Sequence, residues 1–113
     1  MAKQLLVVLS NCVEGQDDEF NDWYTNQHLA DVLKVEGFVA AQRFRLSDTQ
    51  LEGAKMAYRY FAIYEVESDD LERLTKALLA AAYTEAMPIS ETLDLERTDS
   101  WFFAPISERV TKG

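Results

Sequence analysis

The chain of 113 residues is poor in the side chains that most often carry covalent or metal chemistry, with one cysteine, Cys12, and one histidine, His28. A lone cysteine excludes an internal disulfide framework and suits a reducing cytoplasm, which is the expected location. One histidine and one cysteine make no cluster with metal-ligand spacing, so no metal is expected. Positive charge is also scarce. Eleven Lys and Arg stand against twenty Asp and Glu, a formal net charge of −9, which argues against nucleic acid or an anionic membrane surface as partner. The N-terminal apolar run, Leu5 to Leu9, is too short for a signal-peptide core or a membrane span. Gly-rich phosphate loops, GxSxG elbows and Cys–His pairs at suggestive spacing are missing, which leaves covalent catalysis without support.

What the chain does have is apolar and aromatic mass. Hydrophobic residues make up 48% of it, with 2 Trp, 5 Tyr and 6 Phe, enough for one domain with one modest core and too much for disorder. Gln4 to Ser10 reads as a first strand. The acidic cluster Asp17, Asp18 and Glu19 suits a helix N-terminus, and a helix is expected from there to about His28, with a second helical piece over Ala30 to Val35. Gly37 stands where a helix end needs positive φ. A strand from Phe38 to Leu46 would put Phe38, Ala40, Gln42, Phe44 and Leu46 on one side and Val39, Ala41, Arg43 and Arg45 on the other. A third strand, Met56 to Val66, alternates Tyr58, Tyr60, Ala62 and Tyr64 against Arg59, Phe61, Ile63 and Glu65.

Ser68 is placed to cap a helix that runs to about Ala82 with a stripe of Leu71, Leu74, Leu78 and Ala82. Pro88 makes Tyr83 to Leu95 irregular, and a last strand spans Leu95 to Ile106. The order β-α-β-β-α-β predicts an α+β, ferredoxin-like antiparallel sheet with both helices on one face. Residues 1–106 form that domain, and 107–113 read as a C-terminal tail. The strands carry bulky apolar residues on both faces, and no further helix remains to cover the second. A homodimer that packs sheet on sheet is therefore expected.

Phe20 to Phe44 is the stretch with the densest chemistry. At the helical period Phe20, Trp23, Tyr24 and Gln27 share a face, and the phase then slips, so that Leu29, Val32 and Leu33 fall on the opposite side. One regular helix cannot bury both sets, and a bend or break near His28 is expected.

These residues resemble a known family. The pattern F-x-x-W-Y-x-x-x-H-x-x-D-x-L followed by G-F-x-x-x-x-R-F is carried by Phe20, Trp23, Tyr24, His28, Asp31, Leu33, Gly37, Phe38, Arg43 and Phe44. It is similar to the dimeric α/β barrel superfamily, in particular its EthD-like members. The resemblance implies two ferredoxin-like sheets paired into a barrel, with ligands between sheet and helices. It implies activities such as cofactor-free quinol oxygenation, lactone isomerisation, polyketide cyclisation or haem degradation. Ala30 stands where relatives often carry proline, which implies a softer break here.

His28 titrates near neutrality in an ordinary setting and is the candidate general acid or base. Asp31, three residues on, is the candidate for fixing its tautomer. Trp23 and Tyr24 are adjacent, so one can line a cavity while the other packs elsewhere. Tyr60 and Tyr64 offer hydroxyls to a ligand oxygen if their strand face meets the helices, and are interface anchors if it meets a second subunit. Gln42 and Trp101 complete the candidate substrate-binding set. Some relatives ligate haem through a single histidine, but Trp23, Asn26 and His28 crowd one helical turn, and no cofactor is expected. The expected function is a cofactor-free enzyme moving a proton on a small aromatic or apolar carbonyl or phenolic metabolite, of isomerase, cyclase or lyase type. The alternatives are a quinol-type monooxygenase and a non-catalytic homodimeric binding protein.

Overall fold

The structure is a computed structural model and describes residues 3–55 and 57–113; Met56, the expected start of the third strand, lies outside the described residues. Four strands, β1 (Lys3–Ser10), β2 (Phe38–Arg45), β3 (Tyr60–Glu67) and β4 (Asp99–Phe103), form one sheet in the order β2-β3-β1-β4, every neighbouring pair antiparallel. This is the α+β, ferredoxin-like arrangement that the element order predicts. One face carries the helices α1 (Asp17–Trp23), α2 (Leu29–Leu33) and α3 (Leu71–Ala81).

The helix-covered face holds the core. Leu6 pairs with Tyr64 and with Phe102, Val8 with Ala62, and Ser10 with Tyr60. Tyr60, Ala62, Tyr64 and Val66 are all buried, while the alternate residues of β3 are half-exposed. The opposite face displays Leu5, Val7 and Leu9, with Phe61, Ile63, Trp101 and Phe103 beside them. Trp101 and Phe103 are about half exposed there, at 48% and 53%.

Several expected boundaries move. The cap of α3 is Asp70, whose Oδ1 accepts from Arg73 N at 3.0 Å, and Ser68 instead accepts from Asp70 N. The last strand is shorter than expected because a 3₁₀ turn, Leu95–Arg97, occupies its first residues and pairing ends at Phe103. Tyr58 precedes β3, and its hydroxyl donates to the Asp99 carboxylate. A register shift in β2 between Phe38 and Ala40 matters more. A bulge adds one residue, and every side chain beyond it changes face. Phe38 and Ala41, Arg43 and Arg45 therefore lie on the helix side, opposite Val66, Tyr64, Ala62 and Tyr60. Gln42 and Phe44 are turned to the uncovered side, opposite Ile63 and Phe61.

Gly37, before β2, has φ +104°, and a Cβ there would lie 2.5 Å from Leu74 Cδ1. The expected glycine is thus required twice, by backbone conformation and by the close approach of α3.

Candidate functional site

The phase slip in the Phe20 segment has a structural solution that is not a break. Residues Tyr24–His28 form a π-helical turn between α1 and α2, with Leu29 N–H bonded to the carbonyl of Tyr24 five residues back. Such a turn holds more residues than an α turn, so positions four apart stay in line. Phe20, Tyr24, His28 and Val32 consequently form one inward stripe, with Phe20, Tyr24 and Val32 buried and His28 half-buried. The expected break at His28 is replaced by a continuous helix whose widened turn aims the imidazole inward. Leu33 ends partly exposed, at 37%, and Gln27 is exposed.

Between this stripe, the sheet and α3 lies a cavity of about 340 Å³. Leu6, Val8 and Phe102 form its floor, Leu78 one wall, and Met87 and Ile89 of the irregular segment another. Tyr24, Tyr64 and His28 supply polar atoms, together with Thr75, Thr98 and Ser100.

His28 is held by rings, stacked on Trp23 at 4.7 Å between centroids and set edge-on to Tyr24 at 4.9 Å. Its Nδ1 is buried and has no hydrogen-bond partner among the described residues. Burial lowers its pKa to about 4, with the Arg43 charge adding to the fall and the Asp31 charge opposing it. The imidazole is therefore neutral at physiological pH. Behind it, Tyr64 Oη donates to Tyr24 Oη at 3.0 Å in a fully buried pair. Burial pushes both phenols above their ordinary range. Because Tyr64 donates to Tyr24, the Tyr24 O–H is left to serve another acceptor.

Arg43, which the alternation of the sequence did not single out for the site, is the cation of this cluster. Its guanidinium lies 4.4 Å from the Tyr24 ring centroid, within cation–π range. Nη1 donates to Thr25 Oγ1 at 2.9 Å and Nη2 to Asn21 Oδ1 at 2.9 Å. The β-bulge puts it there, and the only sequence signal was its place in the G-F-x-x-x-x-R-F pattern.

The structure brings together His28, Tyr24 and Tyr64, with Trp23 as the ring that braces the imidazole; Trp23 Nε1 also donates to Pro88 O at 3.2 Å. It separates the others. Asp31 is buried but makes no hydrogen bond to His28; its Oδ1 is 3.8 Å from Lys34 Nζ and its Oδ2 is unpartnered among the described residues. Tyr60 faces the helices but bonds Asp17 Oδ2 at 2.6 Å, away from the cavity. Gln42 and Trp101 lie on the opposite sheet face, the first because of the bulge and the second because its strand neighbour Phe102 takes the inward position.

Solved structures share this fold. A proposed monooxygenase from Shewanella loihica matches with TM-score 0.60 and 18% identity over 95% of this chain and 97% of that one. An EthD family protein from Bacillus halodurans matches with TM-score 0.56 and 16% identity over 94% and 100%. A variant of MhuD, solved with two manganese protoporphyrin IX molecules per active site, matches with TM-score 0.64 and 16% identity over 96% and 99%. The ferredoxin-like fold of the chain that the EthD-like resemblance implies is thus the fold observed, and at these identities the likeness extends to the fold alone. No curated protein matches the chain. Residues 4–87, most of the sheet with the whole Phe20 to Phe44 segment, match the model of one sequence family, and the chain belongs to it: the domain of unknown function DUF4286.

Proposed function

We propose that the protein is a cofactor-free enzyme that moves a proton on a small, mainly apolar or aromatic carbonyl or phenolic compound bound between sheet and helices. The observation that carries this reading is a neutral histidine on the wall of an apolar cavity, its buried Nδ1 unpartnered among the described residues, beside a tyrosine whose hydroxyl accepts from Tyr64. The ligand oxygen would accept from Tyr24, with the Arg43 charge behind the ring favouring negative charge on that oxygen. His28 would take the proton. Burial makes it a weak base in the empty site, and an anion forming next to it raises its pKa in the same step. Loss of a quinol proton to His28 would likewise begin an oxygenation with dioxygen as co-substrate.

The lining suits an apolar guest better than a protoporphyrin. Among the described residues no Lys or Arg reaches the cavity to meet two propionates. The uncovered sheet face, with Val7, Ile63, Trp101 and Phe103, would pair with a second copy to give a homodimer, in the cytoplasm. No helix among the described residues is long and apolar enough to cross a membrane.

His28→Gln tests the reading. Against a panel of phenols, quinols and 1,3-dicarbonyl compounds, the wild type is expected to turn over at least one. The variant should lose about 10²- to 10⁴-fold in turnover, with ligand affinity changed by only about 0.5–1.5 kcal/mol. Full turnover in the variant would refute the mechanism. Binding without turnover in the wild type would make the protein a carrier.

A further inference from the structure

In a chain of net charge −9, three of its eleven cationic side chains gather at one end of β2 and β3. Two concavities open there, about 250 Å³ lined by Asn21, Thr25, Arg43 and Arg45, and about 340 Å³ lined by Arg45, Ser47 and Arg59. They share Arg45 and Tyr60, which are cross-strand partners, so the two hollows flank one pair of side chains. We propose that this is a second binding site, distinct from the apolar cavity, and that it takes a small oxyanion, a carboxylate or a phosphate group.

The donor inventory supports that chemistry. The Arg45 side chain makes no hydrogen bond or ion pair among the described residues, which leaves its guanidinium N–H groups for a ligand. Arg43 is anchored through Asn21 and Thr25, and Arg59 through Asp17 at 3.0 Å, so two guanidinium groups are held in fixed positions on either side of it. Planar guanidinium pairs of this kind match the geometry of carboxylate and phosphate oxygens. The opposing carboxylates are Asp17, already committed to Arg59 and Tyr60, and Asp48 on the rim. Three cations face two anions here, against eleven and twenty in the whole chain. The site also touches the apolar cavity through one residue, because Arg43 lies over the Tyr24 ring.

The experiment is an NMR titration of the full chain at constant ionic strength with inorganic phosphate and, separately, with benzoate, using chloride as the control. It follows the arginine Nε–Hε signals and the single histidine. Saturable shifts of Arg43, Arg45 and Arg59 but not Arg73 are expected at millimolar probe, with His28 titrating at higher pH when the site is filled. Saturation by phosphate alone or by benzoate alone assigns the group, and either supports the site. Arg45→Gln, a change at an exposed and unpartnered side chain, should weaken that binding at least about tenfold. Shifts that follow chloride equally, that do not saturate, or that persist in Arg45→Gln would overturn the proposal. None of these outcomes depends on turnover at His28.

Discussion

The two faces of the sheet use nearly the same residue types to different ends. On the helix side, Leu6, Ala62, Tyr64 and Val66 are sealed by α1, α2 and α3, and the space left over is a cavity with a few polar atoms at its wall. On the other side, Val7, Ile63, Trp101 and Phe103 lie beside one another on the sheet, with Trp101 and Phe103 about half exposed. Apolar content therefore does not distinguish a pocket from an interface. What distinguishes them is whether covering elements bring in polar groups without a partner among the described residues, as with His28 Nδ1.

The largest difference should appear on removing a ring from each side. Phe20, fully buried among Trp23, Tyr24 and Tyr60, should cost about 3–5 kcal/mol as Phe20→Ala in chemical denaturation, irrespective of protein concentration. On the bare face, Ile63→Asp should leave the fold intact and weaken self-association by roughly 100-fold, about 3 kcal/mol, since a charge would be buried without a partner. Sedimentation measures it, and unchanged association would take that face out of the interface.

A pH series sharpens the same contrast, because only the covered face holds a titrating group forced to stay neutral. His28 has a folded pKa of about 4, below the 6.5 of an unfolded chain. Between those values the unfolded chain binds the proton and the folded one does not. This contribution is intact above pH 6.5, falls as the pH drops, and is fully lost below about 4. The loss amounts to up to about 3 kcal/mol. His28→Gln should flatten this part of the stability–pH curve, measured by denaturation at fixed ionic strength. The smallest effect concerns the phenol pair. Tyr64→Phe removes the donor to Tyr24 and should cost about 1 kcal/mol of stability, while the His28 pKa moves little.

The alternation of β3, the helix-start acids at Asp17 to Glu19 and the glycine at 37 were legible because each depends on neighbours within a few residues. The same local patterns gave the element order and hence the fold. The alternation set Gln42 on the face of Phe38 and Arg43 on the opposite one, and the structure reverses both for a different reason. A bulge between Phe38 and Ala40 reverses the face of all that follows, and nothing in the local pattern of β2 announces it. The pairing with Val66 and Glu65 on β3 does.

The slip at His28 shows the division most clearly. By itself the sequence determined that Phe20 and Val32 could not both be buried along one regular α-helix, since side-chain periodicity is a property of the chain alone. Whether the chain would break there or widen was decided by tertiary packing. The sheet and α3 reward keeping Phe20, Tyr24, His28 and Val32 in one line, and a π turn does this while the helix continues through the Leu29 N–H bond to the Tyr24 carbonyl. The same packing then determined that the one histidine is enclosed by Trp23 and Tyr24, and that its ring lines a cavity between helix and sheet.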